Sequence, residues 1–317
     1  MCSKKEKNNL VNVPEYKRIV THTDFDGTIS ALFLREMFDI EDIRFTEPWL
    51  IQSGDFWIKK GDIIVDLPYN EKASLWIDHH KSTEEFALKN PSEKKIHDST
   101  KKSCPPIIYE RFHKEFPVLE EYKYLIEPCN KIDSAEFTKE DLENPDVYGL
   151  LSMSLRSDDK KKDDEFKRFL INMLSFTKAD KVLEQPMIKN RINNRLKEID
   201  EWKTKIKDFV KEYKQEKVLV IDTSEEELPR GQKFWLYLMY PGNSHSIMID
   251  SIKNDSETLK ISVGKNIFED FPERKIDVSE LMKAYGGGGH KDVGGCGIPK
   301  NKKEEIIKDL IKKISFN

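Results

Sequence analysis

Histidine and aspartate side chains gather where apolar runs end in the first half of this chain. The run RIVT at 18–21 leads directly into HTDFDG at 22–27, which contains His22, Asp24 and Asp26. Because side chains alternate along a strand and the following loop splays them apart, this order places an imidazole and two carboxylates at one sheet edge. Such ligands suit Mn²⁺, Zn²⁺ or Fe²⁺. Taken alone, the same residues fit a helix N-cap followed by a solvated turn equally well.

Two further apolar runs end in the same kinds of side chain. The run DIIVDLP at 62–68 contains Asp66, and the run LWI at 75–77 is followed by Asp78, His79 and His80. A strand-end turn explains each run by itself. Three strands that all finish in groups able to bind a metal favour a metal centre at the edge where open α/β sheets bind ligands.

Length and composition limit the number of domains, the kind of nucleic acid that could bind and the expected location. The chain has 317 residues, of which 37% are hydrophobic and 35% charged, with a formal net charge of −4. This length predicts two domains. The net charge argues against a broad electrostatic grip on long duplex nucleic acid, so any nucleic acid bound here should be short. No apolar run is long enough to span a bilayer and residues 1–17 lack the apolar region of a signal peptide, so we expect a cytoplasmic protein with no membrane partner.

The cysteines predict neither a disulfide framework nor a structural zinc site. Cys2, Cys104, Cys129 and Cys296 are far apart in the sequence and form no CxxC pair. Buried, reduced thiols are the expected state.

Helical patterns accompany the predicted strands. Residues 28–38 carry apolar side chains at helical spacing after the His22 motif, and 43–46 predicts a short strand, so the chain opens as an α/β unit. The sequence SCPP at 103–106 predicts a helix start, at which Ser103 either caps the helix or offers its hydroxyl to a phosphate. A further helix ends near Asp133 and delivers this carboxylate in a loop.

The second half of the chain predicts another sheet. An amphipathic helix between Asn190 and Tyr213 is expected to connect the two domains. Strands are predicted at 218–221, 234–240, 247–252 and 259–263, and a closing helix at 302–314. The run DDKKKDD at 158–164 is interpreted as a solvated loop, because its acids cancel its bases.

A glycine-rich stretch at 286–297 is the last informative feature. Gly286, Gly287, Gly288 and Gly289 precede His290, and a second Gly-Gly-x-Gly run follows. Consecutive glycines expose backbone amides that can cradle an anion, and the histidine adds a donor. A flexible linker would not be expected to carry these residues between a helix and an apolar segment, so we predict a phosphate-recognition loop.

Together these motifs resemble the DHH/DHHA1 phosphoesterase superfamily. The matching segments are HTDFDG at 22–27, VDLP around Asp66, DHH at 78–80, KIDSAEF around Asp133 and GGGGHKDVGG at 286–295. The family includes RecJ-type exonucleases, nano-RNases, pAp phosphatases and cyclic-dinucleotide phosphodiesterases, and this chain is most similar to the small oligoribonuclease branch. One departure is Lys265, which stands where many relatives have an arginine and cannot give bidentate phosphate recognition.

The resemblance implies an α/β fold with two domains. It places a polar tail at 1–17, a DHH metal-binding domain with a mainly parallel sheet flanked by helices at 18–185, a connector helix at 186–215 and a smaller DHHA1 substrate-binding domain with a mixed sheet at 216–317.

The resemblance also implies the ligands of two Mn²⁺ ions, with Mg²⁺ or another divalent cation as the alternative. His22 and Asp24 would hold one ion, Asp26, His79 and Asp133 the other, and Asp66 would bridge them. Asp78 would orient a neighbouring histidine. His80 would face the scissile phosphate or leaving group, with direct metal ligation as the alternative.

The implied activity is hydrolysis of short single-stranded oligonucleotides or small nucleotides. Lys265, Gly287, Gly288, Gly289, His290 and Ser103 would bind substrate phosphates, and a homodimer is a possible assembly. The aromatic residues between Phe234 and Tyr240 offer base stacking, although strand alternation assigns at least half of them to the core. Two other functions stay open, namely a polyphosphatase or pyrophosphatase-like hydrolase and a non-catalytic nucleotide-binding module.

Overall fold

The chain folds into two compact units, each with its own sheet. The computed structural model describes residues 16–89, 91–157, 159–252, 255–272 and 276–315, so Cys2 and all but the last two residues of the predicted tail lie outside it. The first unit is formed by the residues up to Ala135 together with Val147–Ile188. The second is formed by Glu136–Asp146 together with the residues from Lys189 onward.

The sheet of the first unit is entirely parallel. Its strands are β1 (Arg18–His22), β2 (Ile43–Thr46), β3 (Asp62–Val65), β4 (Leu75–Asp78) and β5 (Lys95–His97). They are arranged in the order β2-β1-β3-β4-β5. Near-continuous Ile and Val residues build the central strands because a parallel sheet is covered on both faces, and Ile19, Ile64 and Ile77 are fully buried.

Strand register brings the three polar strand ends together. Thr21 pairs with Val65, and Val65 pairs with Ile77 in the next strand. The residues that follow in the sequence therefore emerge side by side at the carboxyl edge of the sheet. This arrangement confirms the strand-end argument made from the sequence.

Short helices surround this sheet. Those before Ala135 are α1 (Phe25–Phe38), α2 (Pro48–Ser53), α3 (Glu84–Leu88), α4 (Cys104–Phe112) and α5 (Ile126–Asp133). Helix α6 (Lys139–Glu143) belongs to the second unit, and α7 (Val147–Ser154), α8 (Lys160–Leu174) and α9 (Ala179–Leu183) belong to the first. Single 3₁₀ turns occupy Lys81–Thr83, Pro117–Glu121 and Lys123–Leu125.

The second unit has a mixed sheet of six strands. They are β6 (Val210–Tyr213), β7 (Val218–Thr223), β8 (His245–Ile252), β9 (Asp255–Lys265), β10 (Gly288–His290) and β11 (Val293–Pro299), in the order β10-β11-β9-β8-β7-β6. Strands β7 and β8 pair in parallel and the other neighbours are antiparallel. The parallel and mixed sheets confirm the predicted fold class.

Helices complete the second unit. They are α10 (Pro186–Lys205), within which the division between the units falls, α11 (Trp235–Met239), α12 (Val278–Lys283) and α13 (Lys303–Ser315), with 3₁₀ turns at Ile206–Phe209 and Lys300–Lys302. The α13 helix buries Ile307, Leu310 and Ile314 in the same core as Val218 and Ile261 of the sheet. Among the described residues, no helix is both long and apolar enough to cross a membrane.

Three sequence predictions about elements are wrong. The aromatic stretch 234–240 is not a strand but contains α11, and its neighbouring residues Leu236 and Tyr237 are both buried. The stretch 159–164 is not a loop, because Asp159 accepts a hydrogen bond from the amide of Lys162 and caps α8. The helix predicted to reach Tyr213 ends at Lys205, and β6 follows it.

Candidate metal centre

The first group of metal-ligand side chains lies where β1 ends. The Nδ1 atom of His22 is 2.7 Å from Oδ2 of Asp24 and 3.5 Å from Oδ2 of Asp66. One ligand atom from each of these three residues lies within 4.8 Å of the others. The geometry is compact enough for one cation to contact all three side chains.

The second group centres on His79, directly after β4. Its Nε2 atom is 3.5 Å from Oδ2 of Asp26, 3.5 Å from Oδ1 of Asp66 and 3.3 Å from Oδ2 of Asp133. Asp133 is the last residue of α5 rather than part of a loop. Four of the implied metal ligands thus converge on a second point.

Asp66 is common to both groups. It is 1% exposed and has a φ of 57°, in the left-handed region that costs a non-glycine residue energy. Among the described residues, its buried Oδ2 atom and the buried Nε2 atom of His79 have no hydrogen-bond partner. Buried polar atoms without partners are costly, and a divalent cation among nitrogen and oxygen donors would satisfy both atoms. The residues present therefore fit a metal.

Asp24 has both of the roles that the sequence left open, because it caps a helix and also faces a possible metal ligand. Its Oδ1 atom accepts a hydrogen bond of 2.9 Å from the amide of Gly27 and so caps α1, while Oδ2 faces His22. The close start of this helix explains Gly27, since a Cβ there would lie 2.3 Å from the carbonyl oxygen of His22. Capping thus fixes Oδ1 of Asp24, while Oδ2 remains in the first group of metal-ligand side chains.

Asp26 is held from two elements. Its Oδ1 atom accepts from the hydroxyl of Ser30 at 2.9 Å, and Oδ2 accepts from the amide of Cys104 at 2.9 Å. Cys104 begins α4, so Asp26 occupies the favourable N-terminus of that helix. The Cys104 thiol itself lies near the cluster, but burial and the nearby carboxylates raise its pKa well above the ordinary value, so it stays protonated.

The cluster carries more negative charge than its surroundings can stabilise. Burial, and then the charge of Asp66, raise the pKa of Asp26 to about 8. Burial, and then the charge of Asp26, raise the pKa of Asp133 to about 9. Burial alone would lower the pKa of His79, but the carboxylates of Asp66, Asp26 and Asp133 raise it to about 10. Positive charge, from protons or from a cation, is what this arrangement stabilises.

Asp78 and His80 form a pair that borders the second group, since Nδ1 of His80 is 3.8 Å from Oδ1 of Asp66. Oδ1 of Asp78 is 2.8 Å from Nδ1 of His80 and accepts from the amide of His79 at 2.9 Å. Its Oδ2 accepts from the hydroxyl of Thr83 at 2.5 Å. Both oxygens are engaged within the protein, so the geometry supports Asp78 as the residue that orients His80.

Sequence reasoning missed Glu47, which follows β2 at the same sheet edge. Its Oε2 atom is 3.4 Å from Nε2 of His22, and Oε1 accepts from the hydroxyl of Thr23 at 2.6 Å. Arg156 donates to the same hydroxyl at 3.0 Å. The rule that predicted the other site residues, a polar group just after a buried strand, would also have selected Glu47.

Ser103 lies at the N-cap position of α4, but its hydroxyl is engaged elsewhere. It is fully buried, and its hydroxyl donates to Oδ1 of Asn130 at 2.7 Å. Its side chain makes no capping hydrogen bond to α4. Ser103 therefore fixes α4 to α5 and is not exposed to a substrate phosphate.

The remaining predicted substrate residues lie in the second unit. Lys265 ends β9, and its Nζ atom is 3.4 Å from Oδ1 of Asp292. His290 ends β10 and pairs with Val293, which pairs with Gly264. Backbone register therefore places His290 and Lys265 at the same end of the sheet, whereas the side chain of His290 lies outside what the structure describes.

The predicted glycine loop is in part an edge strand. A Cβ at Gly287 would lie 2.2 Å from the carbonyl oxygen of Gly295, and one at Gly289, where φ is 150°, would lie 2.3 Å from that of Val293. Gly287, just before β10, and Gly289, within it, are therefore needed for the close approach of this segment to β11. Gly288 differs, because a Cβ there would meet no described atom within 4 Å.

Comparison with known proteins agrees with this architecture. A family model described as the DHHA1 domain matches residues 243–315. PggH, a pGpG-specific phosphodiesterase from Vibrio cholerae, is 28% identical, with 94% of this chain and 98% of that chain covered and a TM-score of 0.74. No curated protein is significantly similar in sequence.

Two more distant structures share the fold. The DHH domain of a protein assigned to a family of ribosomal proteins has a TM-score of 0.65 at 13% identity, covering 95% of this chain and 87% of that one. RecJ in complex with Mn²⁺ from Thermus thermophilus has a TM-score of 0.59 at 10% identity, covering 94% of this chain and 52% of that one.

In this chain the parallel sheet with its polar carboxyl edge is thus followed by a segment that matches the DHHA1 domain. Residues 243–315 match the DHHA1 domain, and nearly the whole chain is similar to a pGpG-specific phosphodiesterase and to a solved DHH domain.

Proposed function

We propose that this protein is a manganese-dependent phosphodiesterase that hydrolyses short linear oligonucleotides, with dinucleotides such as pGpG as the first substrates to test. The observation that carries the proposal is Asp66, which is buried, has an oxygen without a hydrogen-bond partner among the described residues, and faces both His22 and His79. The Vibrio cholerae protein, which acts on pGpG, matches over 94% of this chain.

His22 and Asp24 would hold one cation, Asp26, His79 and Asp133 the second, and Asp66 would contact both. When bound, two such cations lower the pKa of water and neutralise charge that builds on a phosphate during hydrolysis. Imidazole and carboxylate donors match Mn²⁺ well, and Mg²⁺ less well because of the histidines. The hydroxyl of Ser30 and the amide of Cys104 hold Asp26 in place before any cation arrives.

His80 would act on the phosphate ester rather than on the cations. Its Nδ1 atom is fixed by Asp78, so the ring orientation and the tautomer are set by a buried carboxylate. A histidine in this position can donate a proton or a hydrogen bond to the leaving oxygen. Lys265, Gly287, Gly288, Gly289 and His290 would hold another phosphate of the substrate, with Lys265 supplying its positive charge.

A hydrolysis panel with purified protein tests this function. Di- to pentanucleotides, pAp, cyclic dinucleotides and inorganic polyphosphate are each incubated with Mn²⁺, with Mg²⁺ or with a chelator. We expect cleavage of dinucleotides to be fastest and to disappear with the chelator. Turnover of polyphosphate alone would assign the chain to the polyphosphatase alternative, and nucleotide binding without any hydrolysis would make it a binding module.

A further inference from the structure

The pairing of β1 with β2 places Glu47 beside His22. Thr46, the last residue of β2, pairs with His22, the last residue of β1. Glu47 is the next residue, and its Oε2 atom lies 3.4 Å from Nε2 of His22. The carboxylate therefore faces the ring nitrogen opposite to the one that faces Asp24 and Asp66.

The two nitrogens of His22 have different surroundings. Nδ1 is 2.7 Å from Asp24 and 3.5 Å from Asp66, so this nitrogen points into the metal-ligand group. A neutral imidazole that offers one nitrogen to a cation carries its proton on the other. A carboxylate that accepts this proton's hydrogen bond fixes the tautomer and the ring orientation and makes the ligand more basic.

Glu47 is itself held in place. The buried hydroxyl of Thr23 donates to Oε1 at 2.6 Å, and Arg156 donates to the same hydroxyl at 3.0 Å. Arg156 also lies 3.8 Å from Oε1.

We propose that Glu47 is a positioning residue that holds His22 in the tautomer and orientation needed to bind a cation, and that it thereby sets the affinity of one cation site. Thr23 and Arg156 fix Glu47 from the other side. The inference rests on the metal centre of the proposed function but not on any substrate.

Calorimetric titration of the metal-free protein with Mn²⁺ tests this role. Glu47→Gln keeps the shape of the side chain and removes its charge. We expect affinity at one of two sites to fall about 10–100-fold, the usual effect of losing an outer partner of a metal-bound histidine. The other site should keep its affinity. Glu41→Gln is the matched control, because Glu41 is exposed and pairs with Arg35.

Thr23 supplies a second, graded test. Thr23→Val removes the hydroxyl that holds Glu47 and should weaken the same site, whereas Thr23→Ser should restore it. Unchanged Mn²⁺ affinity in Glu47→Gln would overturn the proposal, as would equal loss at both sites. Complete disappearance of one binding site would make Glu47 a direct ligand and also overturn it. A wild-type protein that binds no Mn²⁺ would instead reject the metal centre itself.

Discussion

The Nδ1 atom of His80 lies 2.8 Å from Oδ1 of the fully buried Asp78, which joins the first and last residues of the DHH motif. The other oxygen of Asp78 accepts from Thr83, so the carboxylate is fixed from both sides. Burial alone would raise the pKa of Asp78, but hydrogen bonds with His80 and Thr83 keep it below its usual range. Burial alone would lower the pKa of His80, but Asp78 and Asp66 raise it. The motif thus places His79 among Asp26, Asp66 and Asp133, whereas His80 is held by Asp78 with its Nδ1 atom 3.8 Å from Asp66.

Asp78→Asn should therefore reduce turnover without releasing metal. The amide cannot stabilise a positively charged His80, so we expect kcat to fall about 10–100-fold while Mn²⁺ stoichiometry stays at the wild-type value. Steady-state kinetics and metal analysis of the same preparations measure both. Asp42→Asn, which changes an exposed acid paired with Arg44, is the control. Loss of a bound Mn²⁺ in Asp78→Asn would show that Asp78 is a ligand instead.

Asp66→Asn should abolish turnover and weaken both cation sites together. Asparagine tolerates the left-handed conformation that Asp66 adopts, with φ at 57°, so this change tests the carboxylate without adding backbone strain. The loss of Mn²⁺ affinity should exceed the roughly 10–100-fold loss that follows removal of a group hydrogen-bonded to a metal-bound histidine. Calorimetric titration measures both sites. Near-normal activity with two bound Mn²⁺ would reject the bridging role.

The strand-end residues could be predicted because parallel strands impose a simple rule. Apolar runs before His22, Asp66 and Asp78 identify three strands, and in a parallel sheet their carboxyl ends must share an edge. The same rule applies to Glu47, but the strand before it contains the exposed Arg44 and is therefore not a continuous apolar run.

Other features depend on contacts between distant residues and leave little trace in the local sequence. Phe234 and its neighbours resemble a strand in composition, yet Tyr237 is buried in a helix with its hydroxyl 2.7 Å from the carbonyl oxygen of Gly264. Ser103 has the local context of an N-cap, but its hydroxyl bonds Asn130 in another helix. Tertiary packing overrides local preference in both cases.

Neutralising the lysines at the start of α8 should leave activity on short substrates within a few-fold of wild type. Lys160, Lys161 and Lys162 occupy the first turn of this helix, where positive charge opposes the helix dipole, so their replacement by glutamine should raise stability slightly. Dinucleotide kinetics and thermal unfolding test both expectations. A large loss confined to longer oligonucleotides would reveal a nucleic-acid-binding surface at this helix.

Lys265→Ala should affect substrate binding rather than the cations. Loss of a charge-assisted hydrogen bond of about 1.5–3 kcal/mol should raise KM for a dinucleotide roughly 10–100-fold. His290→Ala should behave alike. Bis-p-nitrophenyl phosphate, which has no second phosphate, should be cleaved almost as before by both variants. Equal losses on the two substrates, or a fall in bound Mn²⁺, would place these residues in the catalytic centre.

Lys265→Arg should improve dinucleotide binding if a bidentate contact is what the lysine lacks.

Gly287, which lies just before β10, and Gly288, which begins it, allow packing and phosphate binding to be separated. Gly287→Ala should destabilise the protein by about 1–3 kcal/mol, because its Cβ would lie 2.2 Å from the carbonyl oxygen of Gly295 and 2.6 Å from Cβ of Cys296. Gly288→Ala is the matched variant, since its Cβ would meet no described atom within 4 Å and its φ lies outside the glycine-favouring region.

We expect Gly288→Ala to keep or slightly raise the unfolding temperature, because alanine restricts the unfolded chain. Its KM for a dinucleotide should nevertheless rise if the backbone at Gly288 approaches a substrate phosphate, and cleavage of bis-p-nitrophenyl phosphate should not change. Thermal unfolding and kinetics of the two variants, measured side by side, decide the matter. A Gly288→Ala protein with wild-type KM would mean that the backbone at Gly288 does not approach a substrate phosphate, and the phosphate contact would then have to come from other residues.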